Sequence, residues 1–372
     1  MKNILIIGLV ATVLAGCSSF ERDTMSVTQV KPVTKVKSDV ATVGQIETVI
    51  GLPIRPGNVM ATSDGRVFST VHPNDGEQGV QLFEATDANT YKPWPSNKFQ
   101  SPKGQYGEAT IDTPLGITKD NQGGLWIVDM GQHIGKTRVW GFDIKTGALI
   151  SKIDIPTDIA PKNSFVQDLV VDRKNGWIYL ADIPNPAIIA IDMNTNEIRR
   201  FGNHVALQPE AGAKMVINGV DIMLGGQPTN NGINPITMSA DNNTIYFGAM
   251  NGKSWYSLDA TLLRAKASDK QIGNSIIRVG DKPVSDGATT DSHGNHYFTN
   301  LNDNGVDVLN NKGQLTSLVR DSRFDWPDNV SLDTNGWLYV AVNQLHKTPP
   351  FTGTVDQGQP PYHIYRVWVG KH

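Results

Sequence analysis

The sequence has little cysteine, little net charge and almost no helical periodicity, and each scarcity excludes a class of protein. Its one cysteine, Cys17, leaves no partner for an internal disulfide. The 33 basic and 36 acidic residues nearly balance, and no long run carries charge of one sign, so a nucleic-acid-binding face is not expected. Residues 258–266 are the one short stretch with a helical pattern. The folded part is therefore predicted to be β-structured.

Familiar catalytic sequence motifs are missing as well. The chain has no Gly-x-Ser-x-Gly elbow, no His-Glu-x-x-His, no Walker loop and no dinucleotide fingerprint. The Asn-, Gly- and Pro-rich stretch at residues 225–235 is predicted to be a loop rather than a phosphate-binding cradle.

The N-terminal residues carry an export pattern. Lys2 gives a positive start, residues 4–16 are apolar but too short to span a bilayer as a mature helix, and Leu-Ala-Gly directly precedes Cys17. The pattern resembles the bacterial lipoprotein signal, in which such a cysteine is lipidated and becomes the first mature residue. We predict a signal peptide at residues 1–16, then the lipidated Cys17 and a flexible tether at 17–44. The alternative is an ordinary secretory signal with an incidental cysteine.

Ser18 and Ser19 follow that cysteine, and neither is the acidic residue typical of inner-membrane retention. A place in the bacterial cell envelope is therefore predicted, on the outer membrane and facing the periplasm. Attachment would be through the lipid only, without insertion of the folded part.

Six segments share one pattern: a short strand-like run, a turn containing aspartate, and an apolar or aromatic run. They are GNVMATSDGRVFSTV, PLGITKDNQGGLWIVD, VQDLVVDRKNGWIYLAD, NPITMSADNNTIYFGA, SDGATTDSHGNHYFTN and PDNVSLDTNGWLYVAV. Their turn aspartates are Asp64, Asp120, Asp172, Asp241, Asp291 and Asp333. A spacing of about 40 to 70 residues suits four-stranded propeller blades.

We therefore predict an all-β fold, a single six-bladed β-propeller over residues 45–372. A sandwich or two barrels would explain the strands but not the recurring pattern. A propeller must close, because an open end leaves strand edges unpaired. The last strand candidate is residues 362–368, and residues 44–50 are expected to complete the same blade.

Polar residues recur near one height of the predicted inner strands. Five residues before the turn aspartate, repeats one and two have aliphatic Val59 and Leu115, whereas repeats three to six have polar residues at or near this level. These candidate ligand-binding residues, with two asparagines at the ends of second strands, are Gln167, Asp168, Asn234, Asp286, Asp328, Asn300 and Asn343.

Since inner strands line the channel, polarity on one side of it predicts a ligand or metal site. Carboxylate and amide oxygens suit a hard cation such as Ca²⁺. The same residue types also cap backbone groups at strand ends, so a structural role is the alternative. His133 and His346 follow strand runs and are candidates for proton transfer, with a surface position as their alternative.

Several motifs, in order between residues 115 and 367, resemble the major royal jelly / yellow protein family. They are LWIVDMG, FVQDLVVD, AIIAID, RRF, WPD, VNQL and PPY. The resemblance implies a six-bladed propeller. It also implies several functions, because insect members include proteins linked to dopachrome conversion, nutritive secreted proteins and salivary binders of biogenic amines. Those binders hold an aromatic amine at the channel mouth with polar and aromatic residues, parts that would fall here to Asp168, Asn300, Asp328 and Asn343.

More distantly, the chain resembles the senescence marker protein / gluconolactonase propellers, which bind a divalent cation through Glu, Asn and Asp. Asn234 and Asp286 are similar to two of those ligands, and Gln167 with Asp168 is similar in place to the Asn-Asp pair on the substrate side. The metal-binding Glu would fall near Val59, where this chain has no carboxylate. A lactonase site would therefore need Asp328 as a substitute ligand.

Three functions follow from these observations. The first is binding of a small organic molecule in the channel, with no nucleic acid involved. The second is an enzyme, either a dopachrome-type isomerase with Asp168 and Asp286 as its acid–base pair or a lactone hydrolase dependent on Ca²⁺ or another divalent cation. The third is a scaffold whose outer loops dock another envelope protein.

Overall fold

The six repeated segments form the first two strands of six four-stranded antiparallel sheets. The structure, a computed structural model, describes residues 41–75, 79–102 and 104–371. The first strands of the sheets contact one another in a closed ring, so the sheets are the blades of a propeller around one channel. The predicted all-β, six-bladed β-propeller is confirmed. The predicted signal peptide and Cys17 lie outside the described residues.

Strand β1 (Ile46–Leu52) comes before the first blade. Blade one contains β2 (Pro56–Ala61), β3 (Val67–Val71), β4 (Leu82–Ala85) and β5 (Tyr91–Pro93). Blade two contains β6 (Pro114–Lys119), β7 (Gly124–Asp129), β8 (Arg138–Asp143) and β9 (Leu149–Asp154). Blade three contains β10 (Val166–Asp172), β11 (Trp177–Asp182), β12 (Ala187–Asp192) and β13 (Ile198–Gly202).

Two short hairpins follow, formed by β14 (Val216–Ile217), β15 (Val220–Asp221), β16 (Met223–Leu224) and β17 (Gln227–Pro228). Blade four contains β18 (Ile233–Met238), β19 (Thr244–Ala249), β20 (Ser254–Asp259) and β21 (Ile277–Asp281). Blade five contains β22 (Ala288–Thr290), β23 (His296–Asn300), β24 (Gly305–Leu309) and β25 (Leu315–Arg320). Blade six contains β26 (Pro327–Leu332), β27 (Trp337–Val342) and β28 (Tyr362–Trp368), together with β1.

The described helices are short: α1 (Ala260–Arg264), α2 (Asp269–Asn274) and α3 (Pro349–Thr352), besides four single 3₁₀ turns. Helix α1 lies inside the stretch with the helical sequence pattern. No helix in the described ranges has the length and apolar character needed to cross a bilayer.

The repeated aspartates stabilise the turn between the first two strands of a blade. Asp120 Oδ1 accepts backbone hydrogen bonds from Gln122 (2.8 Å) and Gly124 (2.7 Å). Asp333 Oδ1 accepts the equivalent bonds from Asn335 and Trp337. Side-chain acceptors of this kind are what tight turns require, which is why aspartate recurs in the sequence pattern.

Blade six is closed by the two ends of the described chain. Strand β1 pairs antiparallel with β28, with Ile46 opposite Val367 and Leu52 opposite Tyr362. Ile50 of β1 is fully buried. The pairing expected for residues 44–50 is confirmed, and it removes the open edge that would otherwise interrupt the ring.

The first strands depart from regular pairing close to where they begin. Register shifts separate Pro56 from Val59, Pro114 from Ile117, Val166 from Leu169, Ile233 from Ile236 and Pro327 from Asn329. In blade five, β22 begins only at Ala288, after Asp286 and Gly287. A β-bulge bends a strand and redirects its side chains. The polar residues that begin the inner strands are therefore not oriented by simple alternation.

Hairpins β14–β15 and β16–β17, together with α3, form what we call the cap. In the cap, Ile217 and Ile222 pack into one apolar cluster with Trp326 and Leu345. The backbone N of Gly225 donates to Pro350 O at 3.0 Å, which joins the hairpins to α3. The prediction of a loop at residues 225–235 is therefore wrong in part, because this stretch contains β17, which pairs with β16, and the start of β18.

Candidate functional site

Three carboxylates meet at the channel axis. Asp168, Asp286 and Asp328 begin the inner segments of blades three, five and six, and their relative exposures are 5%, 0% and 0%. Among the described residues, no lysine or arginine forms an ion pair with any of them. A buried carboxylate without a counter-ion must be protonated or held by hydrogen-bond donors.

Asp286 is held by three side-chain donors. Trp326 Nε1 donates to Oδ2 at 2.8 Å, Gln167 Nε2 donates to Oδ1 at 2.9 Å, and Asn234 Nδ2 donates to Oδ1 at 2.5 Å. Its backbone N also donates to Thr299 Oγ1 at 3.0 Å. Both carboxylate oxygens are thus engaged, and Asp286 acts as the centre that positions its neighbours.

Asp328 is linked to the outside of the channel through Asn343. Asn343 Nδ2 donates to Asp328 Oδ2 at 2.7 Å and to Pro56 O at 3.2 Å. The carbonyl of Asn343 in turn accepts from Arg55 Nε at 3.0 Å. Arg55 is buried and its guanidinium forms a two-pronged pair with Asp356, at 2.7 and 2.6 Å. This chain fixes Asp328 from the side of blade six.

Asp168, like Asp328, accepts a single side-chain hydrogen bond. Asn58 Nδ2 of blade one donates to Asp168 Oδ1 at 2.7 Å. Oδ2 accepts no hydrogen bond from any described residue. This oxygen is therefore free for a ligand or solvent donor.

Burial raises the pKa of all three carboxyl groups. It raises the pKa of Asp286 to about 7, although the hydrogen bonds from Trp326, Gln167 and Asn234 lower it. Burial, and after it the charge of Asp286, holds the pKa of Asp168 and that of Asp328 well above the usual range. At neutral pH the cluster therefore holds fewer than three negative charges.

Three acceptor oxygens in this cluster have no donor within the described part of the chain: Asn58 Oδ1, Asn234 Oδ1 and Asp328 Oδ1. Buried acceptors of this kind are costly. A proton on Asp328 would turn its Oδ1 into a donor, which agrees with the raised pKa of that carboxyl group.

A cavity of about 470 Å³ occupies the channel beside the cluster. All six blades line it, and it extends from Asp168 to the turns that end the inner strands, where Asn121 and Thr334 are exposed. Asp168 lines the cavity, whereas Asp286 and Asp328 do not. The channel is thus open at the turn end and covered by the cap at the other.

The cavity wall mixes polar and aliphatic side chains; the aliphatic ones include Val59, Ile117, Ile236 and Val330 on four different blades. None of the described residues that line it is aromatic. The aromatic contacts that the family resemblance implied for an amine ligand are therefore not provided by this wall.

Six of the seven predicted ligand residues come together in the cluster, with Asn300 as the exception. Asn300 Nδ2 donates to Asp307 Oδ2 at 2.8 Å, and its own Oδ1 accepts from the backbone of Asp303, all within blade five. Whether the six bind a ligand stays a prediction. The predicted acid–base pair, Asp168 and Asp286, lies in one cluster, but only Asp168 reaches the cavity.

The two histidines lie away from this cavity. His133 contacts Asp112 Oδ1 through Nδ1 at 2.5 Å and stacks on Tyr106, beside a separate cleft of about 120 Å³. His346 stacks on Trp326, with ring centroids 6.0 Å apart. His346 is thus placed at the cap.

The predicted metal ligands Asn234 and Asp286 do contact each other, but through the amide nitrogen. A divalent cation needs oxygens from both residues directed at one point, whereas Asn234 presents Nδ2 to the carboxylate. In the described ranges, no three His, Cys, Asp or Glu side chains are grouped to hold a metal ion. As arranged, this pair does not fit a divalent cation.

Four contributors to the site were missed in the sequence: Asn58, Lys119, Thr299 and Trp326. Asn58 stands six residues before its turn aspartate, next to Val59, and the bulge at Pro56–Val59 directs it to the axis. The signal in the sequence is a polar residue one position from the predicted height. No sequence signal indicates the bond from Trp326 to Asp286.

The sequence matches known proteins over most of the propeller. The family model for Major royal jelly protein matches residues 113–367. Major royal jelly protein 9 of Apis mellifera is 24% identical over 205 residues, which cover 50% of this chain and 46% of that protein. Major royal jelly protein 3 of the same organism is 23% identical over 181 residues, covering 45% and 31%. The match spans less than half the length of these relatives.

Among solved structures, a gluconolactonase from Xanthomonas campestris has a TM-score of 0.53 and 13% identity, covering 87% of this chain and 89% of that one. At this identity the likeness concerns the fold alone. It agrees with the more distant resemblance drawn from the sequence.

Proposed function

The chain belongs to the major royal jelly protein family, and from this premise we propose that it binds a small organic cation in its channel, with Asp168 as the counter-ion. The observation that carries the proposal is the position of Asp168. It is the only carboxylate of the buried cluster that lines the 470 Å³ cavity, and its Oδ2 accepts no hydrogen bond from a described residue.

The state of the cluster supports a cationic ligand rather than an anionic one. Burial and, after it, the charge of Asp286 disfavour the charged form of Asp168 and raise its pKa. A cation seated on Oδ2 would offset both effects and return the group to its ionised form. Binding is therefore expected to release the carboxyl proton of Asp168.

The accessible groups favour binding over catalysis. An isomerase needs both its acid and its base within reach of the substrate, and Asp286 is separated from the cavity, with both oxygens engaged by protein donors. A lactone hydrolase needs a metal ion. Asn234 contacts Asp286 through its amide nitrogen, so the two residues do not direct two oxygens at a common metal position.

Calorimetric titration of the full chain with pentylamine tests the proposal. We expect saturable binding that releases a proton near neutral pH, seen by comparing buffers of different ionisation enthalpy. Asp168→Asn should weaken binding about tenfold or more, about 1.4 kcal/mol, and abolish the proton release. Asp158→Asn, at an exposed position, is the matched control. Equal binding by the Asp168 variant, or no binding of pentylamine and tyramine by the wild type, would overturn it.

For the location of the protein, we propose a lipid anchor on Cys17 in the bacterial envelope. The support is the order of charge, apolar stretch and Leu-Ala-Gly before that cysteine. The wild type should incorporate labelled palmitate, and Cys17→Ser should not. An unlabelled wild type, or equal labelling of the variant, would contradict the anchor.

A further inference from the structure

Lys119 spans the open end of the channel. It is the last residue of β6 in blade two, and its Nζ donates to Ala61 O of blade one at 2.6 Å and to Leu332 O of blade six at 3.0 Å. The side chain is partly buried and lines the same cavity as Asp168. A positive charge is thereby held on the cavity wall by backbone carbonyls.

Among the residues that the structure describes, this charge has no counter-ion. Within the described ranges, no carboxylate forms an ion pair with Lys119. Asp333 is the carboxylate whose charge acts on it, and Asp333 Oδ1 is already occupied by the backbone N of Asn335 and of Trp337. An ammonium group has three N–H donors, and the two carbonyls use two of them.

A second lysine shows what distinguishes this site. Lys282 is also buried and also donates to two backbone carbonyls, those of Gly252 and Pro283, both at 2.9 Å. It does not line the channel cavity. Hydrogen bonds from a lysine to two backbone carbonyls therefore do not by themselves indicate a ligand site. Lys119 differs from Lys282 because the cavity lies beside its remaining N–H donor.

Asp168 and Lys119 stand at different heights in the channel. Asp168 is four residues before its turn aspartate, Asp172, and Lys119 is one residue before Asp120. Three residues of extended strand correspond to about 10 Å along the channel. Between the two charges lie aliphatic residues such as Ile117 and Ile236.

We infer that the ligand is a zwitterion with separated charges, an ω-amino acid, whose ammonium lies on Asp168, whose carboxylate lies on Lys119 and whose aliphatic part contacts the wall. The inference rests on the proposed cation site at Asp168 and adds the opposite end of the ligand. A carboxylate is the group that satisfies both the open donor and the charge of Lys119. An α-amino acid, with both charges at one end, cannot reach both residues.

Four small probes on the wild-type full chain test the inference: 5-aminopentanoate, its isomer 2-aminopentanoate, pentylamine and pentanoate. We expect 5-aminopentanoate to bind at least tenfold more tightly than each of the other three. Lys119→Met should remove its advantage over pentylamine, so that the variant binds 5-aminopentanoate and pentylamine with similar affinity. Lys145→Met, at an exposed position, should preserve the advantage.

The outcomes separate this inference from the proposed function. If pentylamine binds as tightly as 5-aminopentanoate to the wild type, the Lys119 subsite is refuted and the cation site stands. If none of the amines binds, both fail. The wild-type comparison needs no variant, so a folding defect in Lys119→Met would leave the test intact.

Discussion

Trp326 Nε1 donates a hydrogen bond to Asp286 Oδ2 across 2.8 Å. Trp326 belongs to the apolar cluster under the cap, and Asp286 belongs to the carboxylate cluster of the channel, so this bond connects the two. The backbone of Trp326 is in the left-handed region, with φ of 63°. A bulky residue adopts that conformation only where the surrounding structure holds it there.

Replacing Trp326 by phenylalanine should lower the free energy of unfolding by about 1–3 kcal/mol beyond the effect of the lost ring volume. The substitution removes a donor from a buried carboxylate oxygen, and such groups are costly when left unsatisfied. Trp255→Phe is the matched control, because the Nε1 of this equally buried tryptophan has no hydrogen-bond partner in the described structure. Urea denaturation measures both. Equal losses would mean that the bond to Asp286 adds nothing.

The wild type should lose stability relative to Asp328→Asn as pH rises from about 4 to about 7. The free energy of unfolding of the variant minus that of the wild type should therefore increase over this range. The raised pKa of Asp328 means that the folded protein binds this proton more tightly than the unfolded chain does. Stability from the protonated group is complete below the unfolded pKa and is lost as pH rises towards the folded pKa. The variant cannot ionise here and escapes this loss.

Thermal denaturation between pH 4 and pH 8 gives this difference directly. The wild-type curve alone is not sufficient, since burial lowers the pKa of His72 to about 3 and of His296 to about 4. Because of those two histidines the protein loses stability as pH falls, which is opposite to the effect of Asp328. If the variant instead loses stability relative to the wild type as pH rises, the pKa of Asp328 is not raised in the folded protein.

Gly116→Ala should destabilise the protein by about 1–3 kcal/mol or more, through overpacking. A Cβ at Gly116 would lie 1.9 Å from the carbonyl oxygen of Gln167. Blades two and three approach closely at this point, directly beside Asp168, so the substitution should also weaken pentylamine binding. At Gly107 a Cβ would meet nothing within 4 Å, and Gly107→Ala should be close to neutral. Chemical denaturation compares the two; similar effects would indicate that the close approach is relaxed in solution.

Ile50→Ala should cost about 2–5 kcal/mol, as expected for a buried aliphatic residue. Ile50 lies in β1 and is fully buried in the cluster between blades six and one. Val43, shortly before the strand, is 58% exposed, and Val43→Ala should stay within about 0.5 kcal/mol. Tm measurements on both variants suffice. An unchanged Tm for Ile50→Ala would show that β1 does not close the ring in solution.

The repeating Asp-containing turns made the fold predictable. Because each turn needs the same side-chain acceptor, the sequence pattern repeats with the structure, and the blade count follows from it. The closing strand was also predictable, since a ring of blades requires one at its ends.

The details of the site were less predictable, for two physical reasons. Register shifts at the starts of the inner strands redirect side chains. Asn58 therefore reaches Asp168, although the repeat pattern places its neighbour Val59 at the height of the predicted site. Long side chains add contacts that local patterns do not indicate: Lys119 extends from blade two to a carbonyl of blade six. Both effects depend on how neighbouring blades approach, which a repeat taken alone does not contain.

The pairing of β1 with β28 sets an order of events during synthesis. About 310 residues separate Leu52 from its partner Tyr362, so at about 5–20 residues per second β1 waits roughly 15–60 s for its neighbour. During that time the other strands of its own sheet, β26, β27 and β28, have not been synthesised. Nascent chains arrested before residue 362 are therefore expected to expose β1 to protease, whereas completed chains protect it, and ring closure becomes the last step of folding.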